Sequence, residues 1–100
     1  PLAGDLVKNQ ENARTYCRFA VEAGCVPIAP HIYFTQFMND NDRMERDLAL
    51  FMDIVILSKC AELWVFGEKI TSGMSIEIEK AKRKGQTIRY FTENCQEVSV

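Results

Sequence analysis

Early in the chain, apolar residues recur at Ala13, Tyr16, Cys17, Ala20 and Val21, three and four positions apart. That spacing lines one face of an α-helix, predicted over residues 6–23 with Gly24 as its C-terminal stop. Residues 1–5 before it read as a loop. A short unbroken apolar run follows at residues 25–29, bounded by Gly24 and Pro30. It predicts a buried strand, which Pro27, lacking an amide donor, restricts to a short or edge position. Residues 30–41 show no period, and His31, Tyr33, Phe34 and Phe37 fall in this long loop. Asp42, with Glu45 three residues on, has the form of a helix start, where a carboxylate accepts the first free amides. Met44, Leu48, Phe51, Met52, Val55 and Ile56 then mark the apolar face of a second helix, ending near Lys59. Residues 62–66 predict a strand closed by Gly67. Ser72 is the expected cap of a third helix running to about Lys84 and stopped by Gly85, and residues 87–91 predict one more strand.

Strands that alternate with helices of this length connect most readily as parallel crossovers. The expected fold is therefore α/β: a three-layer Rossmann- or flavodoxin-like parallel sheet with helices on both faces, one domain over residues 1–100. The opening loop runs straight into a helix, so the first, central strand of that sheet is expected before Pro1.

Composition narrows the function classes. The chain is 47% hydrophobic and 26% charged, which excludes wholesale disorder. Its net charge of −2 gives no basic excess with which to hold nucleic acid or an anionic membrane. No run of 18 apolar residues is present, and no basic-then-apolar leader, so a cytoplasmic protein is expected. Cys17, Cys25, Cys60 and Cys95 are spaced by 8, 35 and 35 residues, without the pairing typical of zinc sites. Free thiols are expected, with Cys17 and Cys60 on apolar helix faces.

In an open parallel sheet, ligands bind outside the carboxyl ends of the strands. By that rule residues 1–5, the Pro30–His31 loop and residues 67–77 converge on one crevice. At the start of the third helix, Gly73 leaves the backbone open to close approach, and the free amides suit a hydroxyl, phosphate or carboxylate. Met74, Ile78 and Ala81 fit the sheet-facing stripe, which puts Glu77 close to the buried side. Glu77 then admits two readings: a solvated residue in a charge ladder with Lys80, or a carboxylate put to use. Asp5, beside Gly4, could bind sugar hydroxyls or cap the first helix. His31, the one histidine, could meet a base or phosphate or simply pack in its loop, and without a second histidine it predicts no metal site. Tyr33, Phe34 and Phe37 could stack on a nucleobase or plug the core or a subunit contact. Trp64, mid-strand, reads as core. Lys80, Lys82, Arg83 and Lys84 complement the dipole at the end of their helix rather than forming a nucleic-acid patch.

Gly73-Met74-x-x-Glu77-Ile78-x-x-Ala81, after the strand ELWVFG, resembles the nucleoside 2-deoxyribosyltransferase superfamily. Together with PLAGD, YCRFAVEAG, VPIAPH, CAELWVFG and SGMSIEIEKAKRKG, the chain is more closely similar to small bacterial and phage deoxyribosyltransferase-like domains of unknown function. The resemblance implies a glutamate nucleophile at Glu77, ionised with help from the nearby helix N-terminus, that attacks the anomeric carbon and expels the base, as in a retaining glycosidase. It implies a site walled by Ser72, Gly73 and Met74 on one side and Gly4 and Asp5 on the other, with His31 nearby. Its substrate would be a small-molecule nucleoside or nucleotide, with no metal or organic cofactor. Where the transferases carry an aspartate six residues before the nucleophile, this chain has Thr71. Where the smaller domains often have an aspartate at the strand start, it has Ala61, followed by Glu62. Asp5, Asp40, Asp42 and Asp47 are candidates for the general acid, each also readable as a loop or cap carboxylate. A homo-oligomer is expected, with Phe34, Phe37, Met38 and Met52 in its contacts. The alternative function is a nucleotide-binding module that performs no chemistry.

Overall fold

The computed structural model describes residues 3–99, with side chains from Val7 onward. Pro1, Leu2 and Val100 lie outside the described residues. Among the described residues, four helices and a three-stranded sheet make up an α/β fold: α1 Ala3–Glu22, α2 Pro30–Phe34, α3 Arg43–Leu57, β1 Glu62–Phe66, α4 Ser72–Lys84, β2 Thr87–Phe91 and β3 Glu97–Val98. The sheet order is β1-β2-β3. β1 and β2 run parallel from Glu62 opposite Thr87 to Phe66 opposite Phe91, with α4 as the connection between them. β3 returns antiparallel to β2, so the sheet is mixed rather than purely parallel.

The strands alternate faces with period two. Leu63 and Val65 are buried with Ala81, and Met74, Ile78 and Leu57 pack against them, so α4 covers that face through the predicted stripe. Trp64, Phe66 and Phe91 turn the other way. Tyr16 of α1 stacks on Phe66 with ring centroids 4.1 Å apart, and Phe19 meets Phe91 edge-on at 5.4 Å. Trp64 is half-buried rather than core. Its indole N–H donates to Glu62 at 2.7 Å, and the Arg89 guanidinium lies 4.8 Å from its ring.

Several expectations are corrected. Residues 3–5 belong to α1, not to a loop. Residues 25–29 form no strand; Val26 is 99% exposed and Ile28 is exposed, because Pro27 interrupts the donors and, among the described residues, no strand pairs with the run. Within residues 30–41 a short helix, α2, forms at Pro30. The cap of α4 is Thr71, whose hydroxyl accepts from the Met74 amide at 3.2 Å, and Ser72 is the first helical residue. On α3 the apolar positions Met44, Leu48, Phe51 and Val55 lie on the exposed face. The helix has apolar residues around most of its circumference, and packing selects Leu50, Ile54 and Leu57 for the inside.

Two of the expected helix ends form as read. The Asp42 carboxylate accepts from the Met44 amide at 2.9 Å, and Gly85 ends α4 at φ 75°. All four cysteines are free thiols, although Cys25 is exposed. Among the described residues no helix is long and apolar enough to cross a membrane, and no cluster of His, Cys, Asp and Glu suits a metal ion.

Candidate active site

Glu77 lies on α4, three residues past Met74 and four before Ala81, both of which pack toward the sheet. It is half-buried and, among the described residues, forms neither an ion pair nor a side-chain hydrogen bond, so a charge ladder with Lys80 does not form. Across from it, α3 presents Asp53, only 6% exposed, with its Oδ1 buried and without a hydrogen-bond partner. Burial pushes the Asp53 carboxyl up to about 6. Burial, and secondarily the Asp53 charge, pushes Glu77 up to about 7. Burial thus outweighs any help from the start of α4, where Glu77 is already beyond the first turn. The arrangement is a pair of carboxyl groups on facing helices whose protonation changes near neutral pH.

α3 and α4 are fastened at their far ends. Gln86 donates its side-chain amide to the carbonyls of Leu57 at 2.9 Å and Cys60 at 2.7 Å, and the Lys84 ammonium donates to the Ser58 carbonyl. Between the fastening and the carboxyl pair lies a cavity of about 20 Å³ lined by Ile54, Leu57, Leu63, Glu77, Lys80 and Lys84, among others. That volume holds about one water molecule.

Of the expected site residues whose side chains are described, Glu77 alone lines this cavity. Gly73 directs the place of its missing side chain at Leu50 of α3, 3.7 Å away, so it serves helix approach. Met74 packs into the core beside Leu63 and Val65. Ser72 is exposed on the first turn of α4. His31 is exposed on α2. Gly4 and Asp5 sit in the first turn of α1, and their side chains lie outside the described residues. Tyr33, Phe34 and Phe37 form a cluster of edge-on aromatic rings, with Phe34 buried and the other two exposed.

Among the proposed general acids, Asp42 caps α3 and Asp47 lies 4.0 Å from Arg43 on an exposed surface. The carboxyl that does accompany Glu77 is Asp53, absent from the sequence reading. Its signal is position: four residues after Ala49 and four before Leu57, it is an acid in line with apolar residues on one helical face.

A larger open cleft of about 500 Å³ lies elsewhere, between Arg14, Thr15, Arg18, Phe19 and Glu22 of α1 and Cys95. Arg18 is already paired with Glu22 at 3.1 Å across it. No curated protein and no solved structure matches the chain. Residues 1–91, which carry both carboxyl groups and the β1–α4–β2 unit, match the protein-family model described as a domain of unknown function (DUF7768), and the chain belongs to that family.

Proposed function

We propose that this domain cleaves or transfers the N-glycosidic bond of a nucleoside or nucleotide, with Glu77 as nucleophile and Asp53 as a positioning carboxyl whose charge adds to the burial that holds the Glu77 proton. The observation that supports this most is the Asp53–Glu77 pair itself: two carboxyl groups held on facing helices, titrating near neutrality, neither of them in an ion pair among the described residues. Above about pH 7 Glu77 is ionised, the form a carboxylate nucleophile needs. The choice of substrate rests on the GMSIEIEKA resemblance.

On this reading an ionised Glu77 oxygen bonds to the anomeric carbon as the carbon–nitrogen bond breaks. The base leaves with that electron pair and takes up a proton. Water, or a second base, then attacks the same carbon and releases Glu77 as carboxylate. Asp53 is too buried to meet a sugar. Its part is to hold a proton, or a charge, against Glu77. A pentose is larger than the cavity, so substrate binding goes with a widening between α3 and α4 near Glu77. The same reading takes the sheet as part of a three-layer Rossmann-like arrangement, with α1 side chains on one face and α4 on the other.

The test is a nucleoside base-exchange and hydrolysis assay. Glu77→Gln is expected to lower turnover about 10³-fold or more while leaving the circular dichroism spectrum unchanged. In the wild type, kcat/KM should rise with pH through about 7, as Glu77 loses its proton. Asp53→Asn should move that limb to lower pH, because it removes the smaller of the two causes that hold the proton on Glu77. Full activity in Glu77→Gln rules the mechanism out. A second reading, a nucleotide-binding module without chemistry, is favoured by Thr71, which caps a helix where the transferases place a carboxylate. It predicts a nucleotide that raises the Tm and is recovered unchanged.

A further inference from the structure

Helix α3 is amphipathic in the wrong sense for a lone protomer. Its inward face carries Asp53, while Met44, Leu48, Phe51 and Val55 point outward, 82%, 50%, 63% and 43% exposed. Their spacing of four, three and four is that of a helix–helix seam. A solvated helix face with this composition leaves a continuous apolar strip in water, which marks an interaction surface.

The strip is symmetric about its own midpoint. If a second α3 is laid antiparallel across it, Met44 falls opposite Val55 and Leu48 opposite Phe51, in both directions at once. That is the condition a twofold, self-complementary interface must meet. The charges at the strip's ends agree. In the same register Asp40, just before α3, falls opposite Lys59, just after it. Neither takes part in an ion pair within the protomer, among the described residues, and Lys59 is exposed. Arg43 and Arg46 fall opposite Ile56 and Asp53, so the register opposes no like charges along the helix.

We infer that this face is the contact between two copies of the chain, joined antiparallel through α3 with the twofold axis passing between Leu48 and Phe51. The contact places the two α3 helices back to back, each with its carboxyl pair on the side away from its partner. It stands independently of the proposed chemistry.

The experiment is sedimentation equilibrium of the wild-type chain over a range of concentrations, beside variants whose changed side chains are exposed in the protomer. The wild type is expected to be a dimer. Leu48→Asp and, separately, Phe51→Ser should yield monomers with unchanged helical circular dichroism. Asp40→Lys and Lys59→Asp should each weaken the dimer severalfold, and the double reversal should restore it, because the opposed pair is recreated with its signs exchanged. A monomeric wild type overturns the inference. So does a dimer that survives Leu48→Asp and Phe51→Ser, or a double reversal no tighter than either single change.

Discussion

The burial of two carboxyl groups makes the native state less stable as pH rises. Well below pH 3.8, Asp53 is protonated in the folded and the unfolded chain alike, and its burial carries no ionic penalty. As pH rises toward 6 the unfolded chain ionises first, and native stability falls until the folded Asp53 also ionises. Holding Asp53 at about 6 rather than 3.8 costs the native state ~3 kcal/mol above that range. Glu77 adds a loss of the same sign between 4.5 and about 7. Thermal melts should therefore give a lower Tm at pH 8 than at pH 4.5, and Asp53→Asn should remove much of that difference. An unchanged pH slope in the variant would contradict the assignment. Glu77 was legible in the sequence because its distance from Met74 and Ala81 fixes its side of α4. Asp53 was not, since α3 offers two apolar faces and only packing shows that the one bearing the acid is inside.

Local chemistry set most element boundaries, and where it failed the missing factor was a partner. Asp42, Gly67 and Gly85 each sit where their side chains or backbone angles require, at a helix start and at two left-handed stops. Asp42→Ala should cost about 1 kcal/mol through two lost amide contacts. Gly85→Ala should cost ~1 kcal/mol by forcing a side chain into φ 75°, with no neighbouring atom to blame. Urea titrations of the two variants test both figures. Residues 25–29 read as a strand by composition, yet a strand exists only where a second one supplies hydrogen bonds, and among the described residues none adjoins this run. The two-residue β3 was invisible for the opposite reason: Glu97 and Val98 carry no pattern, and their place comes from the turn in which Cys95 adopts φ 63° and Thr92 accepts the Asn94 and Gln96 amides.

At the scale of the whole molecule, one aromatic cluster joins helix α1 to the sheet. Phe91 is 3% exposed and touches Phe19, Trp64 and Phe66, so Phe91→Ala should cost 3–5 kcal/mol, by the usual price of a large buried ring. Domains of this size have only about 5–15 kcal/mol in hand, and the variant should melt far below the wild type in a calorimeter. The α/β class was readable from the alternation of periods, whereas the mixed sheet was not, because its antiparallel member is too short to leave a trace. Trp64 is the chain's only tryptophan, and it lies against Phe91 and beneath the Arg89 guanidinium, with its indole N–H on Glu62. Its ultraviolet emission therefore watches the β1–β2 seam from the side opposite α4. Fluorescence and far-ultraviolet dichroism follow different halves of this small protein, and any lag between them on heating would time the release of α1 against the melting of the remaining helices.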